Sequence, residues 1–148
     1  MGYLLFSFFM VLFSFTSYLD NKQSFQQEKQ EEERITTRRA IETVHYINAI
    51  NDYLYAHPDV RNSAGYPVLT ADQTGIWVDS AIHHVIFRHR VYVWQLPEKG
   101  LMHALKLQTL SSALLGTVKN RRLIDNGNAD MGVAVPPHIP ESAIVYLN

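Results

Sequence analysis

Seven histidines hold the side chains best suited to acid–base work or metal ligation: His45, His57, His83, His84, His89, His103 and His138. Their spacing assembles no site. His83 and His84 are neighbours on what reads as a strand, so they leave it on opposite faces and do not share one ion. Glu42 and His45 form one Glu-x-x-His on a helix, and a bundle metal site needs a second such pair. No His-Glu-x-x-His is present. The chain has no cysteine, which excludes disulfides, thiolate metal ligands and thiol nucleophiles. Asp72 and Asp79 fall in turn-forming stretches and read as caps. There is neither a Gly-rich phosphate loop followed by Lys nor a G-x-S-x-G elbow. The expectation is a protein that is not an enzyme, with no catalytic residue, metal or cofactor and no small-molecule substrate.

A second constellation is Arg88, Arg90, Tyr92 and Trp94, which sets guanidinium groups beside aromatic rings. A platform for single-stranded nucleic acid uses such pairs, but it also needs a long basic groove. Thirteen Lys and Arg against fourteen Asp and Glu, a net charge of −1, do not supply one. Tyr, Trp and Arg are also the residues enriched in protein-binding hot spots, so these four are the candidate partner contacts. Within the fold, the aromatic face of this segment is expected to pack on a long helix.

These residues need elements to hold them. His84–Phe87 and Val91–Gln95 are rich in β-branched and aromatic residues, divided by Arg88-His89-Arg90, and read as a hairpin. Val91 and Val93 face one way, Tyr92 and Trp94 the other. Upstream, Ile41, Val44, Ile47 and Ile50, with Leu54 and Tyr55 after them, recur at helical spacing until Pro58 stops the run. Asn21–Arg39 is polar and helix-favouring, a solvated stalk. Pro67–Gly75 reads as turns or a short helix, and Ile76-Trp77-Val78 as a brief strand or loop. Gly100–Leu115 is expected to be helical, with Leu107, Leu110 and Leu114 on one face and Gly116 as the stop. Thr117–Ile124 suggests a strand with a turn at Asn120-Arg121-Arg122, and Asn126-Gly127-Asn128 a further turn. Pro136, Pro137 and Pro140 stiffen the approach to a closing edge strand at Ala143–Leu147. This order predicts an α+β fold with a small antiparallel sheet.

The remaining stretch is the most apolar. Gly2–Leu19 carries no charge and is long enough to span the ~30 Å hydrocarbon core. Tyr3 and Tyr18 sit near its ends, where amphipathic rings meet headgroups. No Lys or Arg precedes it, and Ser14-Phe15-Thr16 is a poor cleavage site, which disfavours a secretory signal. A prepilin leader would be basic and would place Glu five residues after Gly2, where Ser7 stands. The expected domains are a transmembrane anchor over 1–20, a polar helical stalk over 21–39, and an α+β domain over 40–148.

The segment His45-Tyr-Ile-Asn-Ala-Ile-Asn-Asp-Tyr-Leu-Tyr-Ala-His-Pro58 is followed by Trp77, by Val91-Tyr-Val-Trp94 and by Leu114-Leu-Gly116. The tail is Pro137-His-Ile-Pro-Glu-Ser-Ala-Ile-Val145. Behind an apolar anchor, this order resembles the PilM family of small inner-membrane proteins from type IVB thin-pilus systems of conjugative plasmids. The resemblance implies a non-enzymatic component of pilus assembly or pilin transport. It implies other pilus assembly proteins as partners and a periplasmic location for the domain. The alternative is a minor pilin-like subunit built into the fibre.

Overall fold

The computed structural model describes residues 2–148. Its first element is one uninterrupted helix, α1, Gly2–Ala56. The chain forms two compact units that divide between Ile35 and Thr36. In the first unit every described side chain is exposed, including the apolar ones from Leu4 to Leu19. This part of α1 is long and apolar enough to cross a membrane. The hydroxyls of Ser7, Ser14 and Thr16 donate back to carbonyls one turn earlier, so these three need no outside partner.

The second unit starts where α1 begins to bury side chains. The stripe is Thr36, Ala40, Thr43, Ile47, Ile50 and Leu54, with Tyr46 beside it. Steps of three and four keep these residues on one face. Ile41 and Tyr55, expected on that face, are 38% and 90% exposed. Two threonines and an alanine take the places a purely apolar pattern would have given to larger residues. Thr43 fits because its hydroxyl donates to the Arg39 carbonyl and accepts from the Gln95 amide. Pro58 ends α1 as expected and opens a single turn, α2, Pro58–Arg61. A second single turn, α3, Ala71–Thr74, is held by a capping box between Thr70 and Gln73.

Six antiparallel strands follow: β1 His83–Phe87, β2 Arg90–Gln95, β3 Leu115–Lys119, β4 Arg122–Asp125, β5 Asp130–Ala134 and β6 Ile144–Leu147. Their order across the sheet is β1-β2-β6-β3-β4-β5. The β1–β2 and β3–β4 hairpins turn on Arg88-His89 and Asn120-Arg121, all four at positive φ, the backbone a two-residue hairpin loop demands. Helix α4, Leu101–Gln108, lies between β2 and β3 in sequence.

Two expectations are corrected here. β6 is a central strand, pairing with β2 and β3, rather than a closing edge. Its Val145 and Leu147 are almost wholly buried. Helix α4 stops at Gln108 instead of running to Leu115. Leu110 and Ser111 take left-handed φ values of 52° and 56°, and the Ser111 N–H bonds the Lys106 carbonyl, closing the helix end without glycine. Leu101, Ala104 and Leu105 face the core, leaving Leu107 and Leu110 exposed, because Leu115 must enter β3. Of the two readings of Ile76-Trp77-Val78, strand or loop, the structure takes the loop, and Trp77 is 86% exposed.

Gly116, expected as a helix stop, is instead the second residue of β3. A Cβ there would lie 2.7 Å from the Ile124 carbonyl oxygen, 2.9 Å from the Met131 sulfur and 3.1 Å from Leu123 Cγ. Replacing it with Ala is therefore expected to cost about 1–3 kcal/mol through overpacking. Thermal unfolding by circular dichroism reads this as a lower Tm, and an unchanged Tm would contradict the close approach.

Both faces of the sheet are covered. Ile86, Val91 and Val93 pack on Ile47, Ile50 and Leu54 of α1, while Leu115 and Ile144 pack on α4 and Ala40. The opposite face gathers Val85, Tyr92, Val118, Leu123, Val145 and Leu147 with Ile139 and Ala143. The sheet curls to close that second cluster. The Tyr92 hydroxyl, from β2, donates to the Ala134 carbonyl at the end of β5, at 2.9 Å. The Arg121 guanidinium donates to the Pro136 and Ile139 carbonyls, both at 2.7 Å, and pins the proline-rich segment across the cluster.

Candidate protein-interaction face and cleft

The alternation expected in β2 holds, but its consequence is reversed. Val91 and Val93 form the face on α1, and Tyr92 and Trp94 point into the curl of the sheet. The four candidate contact residues are accordingly not one surface. Arg88 and Arg90 are exposed at the hairpin tip, with the Arg88 guanidinium 5.0 Å from the Phe87 ring centroid. Tyr92 is 2% exposed and holds the sheet closed. Burial pushes its hydroxyl pKa up, against the pull of Arg90 and Arg88. Trp94 is half-buried at the other end of the strand, stacked on His83 at 4.4 Å between ring centroids.

Trp94 belongs to a different feature, a cleft of about 380 Å³ at the β1 edge. Tyr46, Tyr66, Val68, Leu69, His83, His84 and His138 share its walls. His83 and His84 do leave β1 on opposite faces; both reach the cleft because β1 is the edge strand. Tyr66 stacks on Phe87 at 5.2 Å and meets His138 edge-on at 4.6 Å.

At the floor lies His84, 7% exposed. Its Nε2 accepts the Leu69 N–H at 2.8 Å, which assigns the ring proton to Nδ1. Nδ1 in turn is 2.7 Å from the Tyr46 hydroxyl oxygen and donates to it. Burial, assisted by the adjacent His83, lowers the His84 pKa to about 4, so this ring is neutral near pH 7. Burial also raises the Tyr46 pKa. A neutral pair with no carboxylate orienting it has the parts for positioning, not for moving protons.

Sequence reasoning had no signal for Tyr46, Tyr66, His84 or His138 as a set. They come from α1, a loop, β1 and the proline-rich tail, and only the fold unites them. Among the described residues no group of three or more His, Asp or Glu side chains is arranged to hold a metal ion.

An ion cluster secures the approach to β1 and the loop after β2. Arg38 pairs with Glu42 at 3.5 Å and with Asp79 at 3.7 Å, and Arg39 pairs with Asp79 at 3.6 Å and with Glu98. The Ala81 N–H, with Arg39 and Arg38, holds the Asp79 pKa below the usual carboxylate range.

Comparison with known proteins decides the family. A model of the PilM family matches residues 8–147. The chain belongs to the PilM family. The crystal structure of a protein designated PilM from Escherichia coli B7A is 39% identical, covering 78% of this chain and 92% of that one, with a TM-score of 0.66. A protein designated pilM from Pseudomonas aeruginosa 2192 is 20% identical over 76% of this chain and 94% of its own, with a TM-score of 0.44. No curated protein matches. PilM membership makes this a pilus-related protein, as the resemblance in its sequence implied.

Proposed function

We propose that this PilM-family chain is a non-enzymatic, single-pass inner-membrane component of a type IVB pilus assembly or pilin-transport apparatus. It acts as a protein-binding scaffold, with residues 40–148 forming its periplasmic domain. The observation that carries this reading is the wholly exposed apolar start of α1, in a chain matched by the pilus family almost throughout. An uncovered run of this kind is stable in lipid and a liability in water. Tethering confines the domain near other membrane-bound assembly proteins and raises its effective concentration there. Arg88 and Arg90 at the hairpin tip, together with Trp94, are the proposed partner contacts.

The test is fractionation followed by an alkaline carbonate wash. The chain is expected to remain in the membrane pellet; release into the supernatant overturns the anchor. Photo-crosslinking from position 90 is expected to trap pilus assembly proteins. Recovery of the chain in sheared fibres would favour the minor pilin-like alternative.

A further inference from the structure

The cleft at the β1 edge has a chemistry that neither tethering nor the Arg88–Arg90 tip uses. At about 380 Å³ it falls within the ~300–1,000 Å³ range of ligand sites. Four of its side chains reach the rim: Tyr66, His83 and His138 are exposed, and Trp94 is half-buried. Ring contacts hold them in place. Trp94 stacks on His83 at 4.4 Å, and Tyr66 stacks on Phe87 at 5.2 Å and meets His138 edge-on at 4.6 Å. Stacking fixes the rings without spending the indole N–H or the phenol O–H.

The lining narrows the ligand. No Asp, Glu, Lys or Arg is part of it, so an ionised group entering would lose water without gaining a counter-charge. A wholly apolar ligand would cover the N–H and O–H groups at the rim and leave them unpaired. An added peptide strand would pair with the outer edge of β1, where residues 67–69 already lie. The Ile86 N–H donates to the Pro67 carbonyl at 3.1 Å, and the Leu69 N–H to His84 Nε2 at 2.8 Å. The chemistry left is that of flat C–H faces bordered by uncharged hydroxyls, as in a pyranose ring. Its C–H face packs on an aromatic face, where the ring quadrupole is negative. Its hydroxyls both donate and accept. A Tyr hydroxyl answers both ways, an indole N–H donates, and an imidazole at about pH 8 offers one nitrogen of each kind.

We propose, independently of the scaffold reading, that this cleft binds a short stretch of an uncharged saccharide chain. The rings of Tyr66 and Trp94 supply the apolar contact. The Tyr66 hydroxyl, the Trp94 N–H, His83 and His138 exchange water for sugar hydroxyls. An N-acetylhexosamine chain and a plain glucan share this chemistry, and titration separates them.

The full chain, in a detergent without a sugar headgroup, carries Trp77→Phe so that Trp94 is the one tryptophan left. It is titrated at about pH 8 with chitotriose and, separately, with maltotriose. Trp94 fluorescence is expected to change saturably with one of them, with a Kd on the order of 1 mM or tighter. Tyr66→Phe keeps the ring, removes the hydroxyl and should weaken binding roughly two- to tenfold. His138→Ala, at an exposed position, should weaken it severalfold, with circular dichroism confirming that both variants are folded. Arg90→Ala, at the hairpin tip outside the cleft, should bind sugar as the parent does. No saturable change with either sugar, equal binding by the two cleft variants and the parent, or saturation by an uncharged peptide where both sugars fail would overturn the proposal. A chain that binds sugar yet washes off the membrane keeps this site and loses the anchor. One that stays in the carbonate pellet and ignores both sugars does the reverse.

Discussion

Phe9→Arg combined with Leu12→Arg is expected to move the chain out of the carbonate-resistant membrane pellet. Both side chains are exposed on the first unit of α1, 62% and 43%, so neither change disturbs packing in residues 36–148. Each arginine near the middle of a membrane-spanning helix costs about 2.5–3.5 kcal/mol on insertion scales. Two of them cost roughly 5–7 kcal/mol, a shift in partitioning on the order of ten-thousandfold. Phe9→Leu with Leu12→Phe keeps the apolar character and should stay in the pellet. The two variants should give the same far-ultraviolet circular dichroism for the sheet. A doubly arginine-substituted chain that still resists carbonate would show that the apolar run is not what holds the protein to the membrane.

Acid is expected to destabilise the folded domain through His84 well before carboxylates protonate. In the fold its pKa stands at about 4, against an ordinary value of 6.5. Between those values the unfolded chain binds a proton that the folded chain refuses. Stability from this group is therefore complete above pH 6.5 and is lost as pH falls toward 4. At 1.36 kcal/mol per unit the loss is on the order of 3 kcal/mol. The mechanism is geometric: a proton on Nε2 evicts the Leu69 N–H from its acceptor in a buried site. His84→Gln keeps an acceptor for Leu69 and removes the titration, so its stability should be flatter across this range. Urea denaturation of the two proteins at pH 7 and pH 4.5 measures the difference. Parallel losses in both would assign the acid sensitivity elsewhere.

The hairpin illustrates how far the sequence could be read. Alternation of Val91, Tyr92, Val93 and Trp94 is a local property of a strand, and the two faces follow from it directly. Which face meets α1 is not local. It depends on the curl that brings β5 to the Tyr92 hydroxyl, and this buries a residue chosen for its surface chemistry. Helix α4 shows the same division. Apolar residues at 107, 110 and 114 fit a helical period as well as those at 101, 104 and 105 do. Competition for Leu115 by β6 decided between them. The cleft was illegible because its four defining side chains are far apart in sequence, and all four are histidine or tyrosine types that also occur singly on surfaces.

The sequence by itself determined the elements whose cause lies within a few residues. These are an uncharged run long enough for a bilayer, a helix stopped by Pro58, and two hairpins closed by short polar turns. The PilM resemblance was likewise readable from short motifs in chain order. Tertiary structure alone decided that the last strand lies at the centre of the sheet and that Gly116 admits no side chain. It also decided that Tyr46 meets His84 in the lining of a cleft. Burial and hydrogen-bond satisfaction are settled by contacts between distant segments, and no local spacing encodes them.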